Sequence, residues 1–301
     1  MTTFTGDQIE DFGHGVLNAE GVVVDKDGFV YGGGRNGIIY KASPDGEVNA
    51  LCTLPEGSIP NGITLDRNGD IIYCDLGKQG VFRVTQSGQV SMIAEQVGDV
   101  KLTLPNFASY DAEGNLYVSN TSTLDVNNAL QEIVNPAPSG ALVRIRPDGR
   151  GDVVATGIYA ANGTAIDPKE EAIFVLQTST KDCLRIALKK DGTFGKPEVF
   201  SQNFPALPDG MAFDVDGNMY ITLPAQFQDE TLTPANQVIA VNPRGQWSLM
   251  IDDSESKSLN FPTNCAFGGP DLQDLYIANL QADHFSVVHT SFHGHPLYHQ
   301  R

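Results

Sequence analysis

One short segment recurs six times along the chain, and it limits the possible folds more than any other feature. It reads Glu20-Gly-Val-Val-Val-Asp25, Asn61-Gly-Ile-Thr-Leu-Asp66 and Asn106-Phe-Ala-Ser-Tyr-Asp111. It continues as Asn162-Gly-Thr-Ala-Ile-Asp167, Asp209-Gly-Met-Ala-Phe-Asp214 and Asn264-Cys-Ala-Phe-Gly-Gly269. The opening residues are 41, 45, 56, 47 and 55 positions apart. Most copies close with an Asp-x-x-Gly turn and then an aromatic-rich strand such as Phe29-Val-Tyr31 or Leu116-Tyr-Val118. A third strand is expected to end in a turn at Gly46, Gly88, Gly149, Gly192, Gly245 and Gly294, and a fourth follows, as in Val90–Ala94. Pro44-Asp-Gly46 and Pro147-Asp-Gly149 are strong turn formers.

Four short strands repeated at this spacing predict an all-β, six-bladed β-propeller, each blade four antiparallel strands around a central channel. Residues 1–301 then form a single propeller domain. The ring must be closed either by residues 1–14 or by His295–Arg301, and the sequence leaves both open. In a propeller the first strand of each blade lines the channel. The six opening residues therefore converge at one mouth. The connections from second to third strand return to that same face. Two of these, Thr121–Ser139 and Pro224–Asn236, are long and are expected to be loops overhanging the mouth.

Composition narrows the function. The chain has 19 Lys and Arg against 37 Asp and Glu, a net charge of −18. This balance excludes a phosphate-neutralising nucleic-acid binder and disfavours an anionic membrane surface. It suits a soluble protein that attracts cations. The first ten residues lack a basic stretch and an apolar run, so no signal peptide is expected, and no run is long enough for a membrane helix. Cys52, Cys74, Cys183 and Cys265 form no CxxC pair, which points to free thiols in a reducing, cytoplasmic setting.

The opening residues Glu20, Asn61, Asn106, Asn162, Asp209 and Asn264 all carry side-chain oxygen. Converging carboxylates repel one another unless a cation separates them. Oxygen donors suit a hard divalent ion, calcium first, and the lack of Cys and His disfavours zinc. Asn61 and Asn264 are expected to be supporting or turn residues. A single Asn-Gly or Asp-Gly pair would be read as a turn between blades. Six aligned copies favour the metal.

This pattern resembles the senescence-marker-protein/gluconolactonase (regucalcin-like) family across nearly the whole chain. The resemblance implies a catalytic divalent cation held by Glu20 of Glu20-Gly21, Asn106 of Leu104-Pro-Asn106, Asn162 of Asn162-Gly163 and Asp209 of Pro208-Asp209-Gly210. Calcium is favoured, and the same ligands in the family also take zinc, manganese or iron. The implied reaction opens a lactone or related ester ring, the cation polarising carbonyl and water and Asp209 acting as general base or nucleophile. The implied partner is a small molecule, with the oligomeric state left open. Sugar lactonases of the family usually carry Arg where this chain has Leu104, and often Asp where it has Phe107. Leu104, Phe107, Asn61 and Asn106 are therefore the expected substrate contacts, in a less polar pocket. The alternatives are the same site acting on organophosphates or in lyase or isomerase chemistry, or a non-enzymatic binding propeller.

Two further signals are discounted. Gly32-Gly-Gly34-Arg-Asn-Gly37 matches a dinucleotide fingerprint, but a strand follows where a helix is required. Asp25-x-Asp27-Gly28 and Asp214-x-Asp216-Gly217 read as turns. Five of the six histidines, His284, His289, His293, His295 and His299, lie near the end, and His284 is the first candidate to approach the site.

Overall fold

The structure, a computed structural model describing residues 3–301, is a six-bladed β-propeller. Blade 1 comprises Ala19–Val24, Val30–Gly34, Ile38–Ala42 and Val48–Thr53, each paired antiparallel with the next. Blades 2 to 5 repeat this order, with first strands Pro60–Leu65, Pro105–Tyr110, Ala161–Ile166 and Met211–Phe213. Blade 6 takes three strands from the end of the chain, Pro262–Gly268, Asp274–Asn279 and Phe285–His289.

The N-terminal segment closes the ring. Glu10–Phe12 forms the fourth strand of blade 6, with Glu10 opposite Val287 and Phe12 opposite Phe285. Just before it, Phe4–Thr5 adds a parallel edge to Trp247–Asp252 of blade 5. Gly294 is therefore not the expected turn into a fourth strand. It instead forms a bridge to Asp214 beneath blade 5.

The repeated Asp and the repeated Tyr explain each other. The second strands are sandwiched between neighbouring blades, and Tyr31, Tyr73, Tyr117 and Tyr220 are among the largest fully buried side chains. A buried phenol needs a partner for its hydroxyl. Tyr31 and Tyr220 donate to the second carboxylate oxygens of Asp25 and Asp214 at 3.0 and 2.9 Å. The other oxygen of each aspartate accepts two backbone N–H groups of its turn, from Asp27 and Phe29 and from Asp216 and Asn218. The turn then closes on a glycine with positive φ, +84° at Gly28 and +83° at Gly217. These aspartates are structural.

The two long connections of the mouth face differ in kind. Thr121–Ser139 is a loop containing a 3-10 turn, Val126–Asn128, capped by Asp125, and a helical turn, Gln131–Val134. It is tied down by Thr121, whose hydroxyl donates to the Ala161 carbonyl at 2.9 Å, and by Ser179, which donates to the Glu132 carbonyl. Residues 224–236, expected to be irregular, instead prolong the blade as a hairpin of Met219–Gln228 and Thr231–Val241. Its tip is Asp229-Glu230, at φ +50° and +60°, the tight turn that matches strand twist. Pro224 is accommodated by a register shift between Leu223 and Ala225.

After Phe285–His289 the chain crosses under the propeller. The N–H of His295 donates to Phe213 at 2.8 Å, and His299 and Gln300 both reach the Val24 carbonyl at 2.9 Å. Tyr298 stacks on Tyr110 with ring centroids 4.8 Å apart. The tail thus closes the channel at the end opposite the six opening residues. It leaves a cavity of about 70 Å³ lined chiefly by apolar residues, among them Val22, Ile63, Ala108, Met211, Ala266 and Leu297.

Candidate functional site

Four of the six opening residues sit at a defect in their ladder. Pairing of the first with the second strand shifts register between Ala19 and Val22, Pro60 and Ile63, Pro105 and Ala108, and Ala161 and Thr164. The bulged residues are Glu20-Gly21, Asn61-Gly62, Asn106-Phe107 and Asn162-Gly163. A bulge frees a residue from the strict in-out alternation and re-aims its side chain.

The glycines after the opening residues are not turns, since Gly21, Gly62, Gly163 and Gly210 are absent from the positive-φ set. They let adjacent blades touch. A Cβ on Gly21 would lie 2.8 Å from the Asn61 carbonyl oxygen, and one on Gly62 2.5 Å from that of Asn106. On Gly163 it would lie 2.5 Å from the Asp209 oxygen, and on Gly210 2.6 Å from Asn264 Oδ1. The glycine of one blade thus admits the opening residue of the next.

Glu20, Asn162 and Asp209 are brought together at this mouth. Glu20 is buried, 9% exposed, and Asp209 is partly buried. Burial raises the carboxyl pKa of Glu20, opposed by the Arg35 guanidinium. Burial also pushes Asp209 well above the ordinary carboxylate range, and the charge of Glu20 adds to this, while a hydrogen bond from Asn162 and the charge of Arg35 oppose it. The Asn162 amide also donates to Thr178 Oγ1 at 3.0 Å, and that hydroxyl donates to the Pro208 carbonyl at 2.8 Å. Blade 4 thereby holds the residue next to Asp209.

The other expected site residues occupy distinct places. Asn61 is buried and donates to the Asn106 carbonyl at 3.1 Å, tying blade 2 to blade 3. Asn264 is buried, and its Oδ1 accepts the Cys265 N–H at 2.7 Å. Leu104 is 2% exposed, so it lies within the wall, its N–H bonded to Asn120 Oδ1 at 3.0 Å. Phe107 lines the closed cavity below the opening residues. His295 and His299 lie at the opposite end of the channel. His284 lies out on blade 6 against Ser258 and Asp11.

One residue of the mouth escaped the sequence reading. Arg35 stands in the short turn between the second and third strands of blade 1, inside the glycine-rich run that mimics a nucleotide motif. Its guanidinium is 3.9 Å from Glu20 Oε2, and its side chain is half-exposed. The available signal was topological, because every connection from second to third strand lies on the mouth face.

A divalent cation fits this donor set. Glu20 Oε2 is buried without a hydrogen-bond partner. It is next to a second, partly buried carboxylate, and among the described residues the half-exposed Arg35 is the only cationic group acting on both. Two carboxylates and flanking amides offer hard oxygen ligands.

A six-bladed propeller with buried acids and amides converging at one channel mouth is thus the class of protein at hand. The family described as SMP-30/Gluconolactonase/LRE-like region matches residues 18–281, and the chain belongs to it. Protein STRICTOSIDINE SYNTHASE-LIKE 7 of Arabidopsis thaliana is 26% identical over 224 residues, which is 72% of this chain and 59% of that protein. The gluconolactonase of Zymomonas mobilis is 23% identical over 254 residues, covering 77% of this chain and 67% of the relative. The chain spans about three fifths of the length of the strictosidine-synthase-like relatives. Among solved structures, a calcium-binding protein, regucalcin, from Agrobacterium tumefaciens superposes with a TM-score of 0.74 at 17% identity, covering 99% of both chains.

Proposed function

We propose that the chain is a metal-dependent hydrolase that opens a lactone or related ester ring. The observation that carries this is the desolvated pair Glu20 and Asp209, with an orphaned carboxylate oxygen on Glu20 and flanking amides at the channel mouth. Glu20, Asn106, Asn162 and Asp209 would hold the ion, calcium by its preference for oxygen ligands. When bound, it would polarise the ester carbonyl and offset the negative charge that grows on it.

The chain's own residues do the rest. Asn162 holds the Asp209 carboxylate, and Thr178 holds Asn162. Asp209 takes the proton of an attacking water as general base, or attacks the carbonyl itself as nucleophile. A single turnover in ¹⁸O-labelled water separates the two: label in Asp209 marks the nucleophile. Arg35 lies beside the carboxylates and counters charge on the substrate side of Glu20. Asn106 presents its amide to the ring, and Asn61 braces it from blade 2 through the Asn106 carbonyl, while Leu104 stays in the wall and Phe107 in the apolar floor below. Exposed Leu130, Val134 and Leu232 on the two connections of the mouth face favour an apolar substituent. Four free cysteines accord with a reducing, cytoplasmic location, and among the described residues no helix is long and apolar enough to cross a membrane.

The test is proton release from sugar, aliphatic and aromatic lactones, with chelator and then with metal restored. Turnover abolished by chelation, restored by a divalent ion and lost in Glu20→Gln supports the reading. No turnover on any lactone with the ion bound overturns it.

A further inference from the structure

The structure points to a second metal centre, unlike the first in chemistry and location. We propose that His14, Asp283 and His284 bind a transition-metal ion of the zinc class, which clips the ring-closing N-terminal segment to the last blade. His14 follows Glu10–Phe12, the three-residue strand that closes the ring. Asp283 and His284 lie in the connection leading into Phe285–His289, the strand it pairs with. The two segments are already fastened by their backbones: Gly15 N–H donates to the Asp283 carbonyl at 2.7 Å and Asn18 N–H to that of Ala282 at 3.0 Å.

The geometry is that of a ligand set. One ligand atom from each of the three residues lies within 4.8 Å of the other two. His284 Nδ1 is 3.4 Å from Asp283 Oδ1, and His14 Nδ1 is 4.0 Å from the same oxygen. Neighbouring ligands of a tetrahedral ion with bonds near 2.05 Å stand about 3.3 Å apart. Small rotations of two exposed side chains bring all three into range.

The partners of His284 are the second, independent observation. Its Nε2 faces the Ser258 carbonyl at 3.1 Å and Asp11 Oδ1 at 3.2 Å. Both are acceptors, so the hydrogen resides on Nε2. Nδ1 is the nitrogen left to face the Asp283 carboxylate, 3.4 Å from its Oδ1. A proton on Nδ1 or a metal ion can fill that gap, and His14 beside the same carboxylate oxygen favours the metal. A metal-binding histidine typically has its far nitrogen fixed by a carbonyl or carboxylate in this way, with the near nitrogen left free. Asp11 and Ser258 supply that support, and water can complete the shell. Two imidazoles and one carboxylate suit zinc-class ions, whereas the channel mouth offers only oxygen.

The test uses untagged full-length protein, stripped of metal and then saturated with Ca²⁺, so that the channel-mouth centre is filled. Co²⁺ is added, and the visible absorption band of four-coordinate cobalt is followed. Zn²⁺ is then added in a parallel thermal melt. Expected are one equivalent bound, a rise in Tm, and affinity at least about tenfold weaker in His14→Gln and in Asp283→Asn. Asp209→Asn keeps the band, so failure of the hydrolase reading leaves this outcome unaffected. Absence of saturable Co²⁺ binding, or binding that His14→Gln and Asp283→Asn leave unchanged, overturns the proposal and marks the ion as adventitious.

Discussion

Gly163→Ala tests the blade contacts that set the geometry of the channel mouth. The added Cβ would meet the Asp209 carbonyl oxygen at 2.5 Å and the Gly210 Cα at 2.9 Å. Both are backbone atoms, so no flexible side chain can yield. Ordinary contact begins at 3.4 Å, so the shortfalls are 3.4 − 2.5 = 0.9 Å and 3.4 − 2.9 = 0.5 Å. Blades 4 and 5 must separate by a comparable amount. That strains the inter-blade bond in which Gly163 N–H donates to the Asp209 oxygen at 2.8 Å. Overpacking costs about 1–3 kcal/mol and the weakened bond about 1 kcal/mol. Alanine recovers about 0.5–1 kcal/mol because it restricts the unfolded chain. The net loss is about 1–3 kcal/mol, a fall in Tm of roughly 2–5 °C for a domain of 301 residues. Asp209 moves with its backbone, and a displacement of this size lowers turnover by about 10- to 100-fold.

Thermal melts and lactonase turnover are compared with those of Gly149→Ala. Gly149 has φ +82° and nothing within 4 Å of a built Cβ. That control should lose about 1 kcal/mol through backbone strain and keep its activity. If Gly163→Ala retains wild-type Tm and turnover, the glycines do not serve blade contact and the account of the opening dipeptides is wrong. If it loses stability and keeps full turnover, the position of Asp209 is not critical.

Three other outcomes follow from the same geometry. In metal-free protein the raised carboxyl of Asp209 holds its proton more tightly folded than unfolded, so its contribution to stability is present at acid pH and lost as pH rises through the folded value. Asp209→Asn should flatten Tm against pH in chelator and abolish the Tm rise on adding Ca²⁺; unchanged profiles would remove Asp209 from the ion site. Thr178→Val leaves the Pro208 carbonyl and the Asn162 amide each short of a partner, which should cost about 1–3 kcal/mol and weaken Ca²⁺ binding; calorimetry showing intact affinity would refute its positioning role. Burial lowers the pKa of His295 and His299, so docking of the tail is favoured above the unfolded value of 6.5 and weakens as pH falls below it. Protection factors for amide exchange at residues 293–301, corrected for the intrinsic pH dependence of exchange, should fall on acidification, and equal protection factors at pH 8 and 5.5 would contradict this.

The periodic features were legible because each copy repeats a local physical requirement. The Asp-x-x-Gly turn, the buried Tyr and the polar opening residue recur at fixed offsets, and together they imply blades, a channel and its donor residues. The features that stayed hidden occur once. Closure by Glu10–Phe12 depends on pairing across more than 270 residues, Glu10 to Val287, and no local signal marks it. Residues 224–236 contain Pro224 and Pro234 and were expected to be loop, yet one register shift lets them continue as strands. Leu104 was assigned to the pocket from its place in Leu104-Pro-Asn106, but a bulge between Pro105 and Ala108 changes which residues face the channel. Arg35 has no counterpart at the same offset in the other blades, and its glycine-rich run reads as a hairpin connection, so no periodic signal marks it.

The two ends of the channel are physically linked. The same six strands that begin with acids and amides continue into Val22, Ile63, Ala108 and Met211, and the tail seals them with Leu297 and Tyr298. A small, mostly apolar cavity does not hold water well. The carboxylates of Glu20 and Asp209 therefore have poor solvent below them and packed blades around them. That desolvation is the largest cause of their raised pKa values. An open, hydrated channel would let both acids ionise unaided and would weaken their hold on a cation. The sealed floor instead makes the ionised pair costly unless a positive charge arrives from the open mouth, where Arg35 already leans over Glu20. On this argument the tail, which touches none of the proposed ligands, contributes to the affinity of the site. Removing residues 295–301 should let water in from below, bring both carboxyls toward their ordinary range and weaken Ca²⁺ binding, measured by calorimetry at fixed pH. Unchanged affinity in a folded truncation would show that the blades alone desolvate the pair.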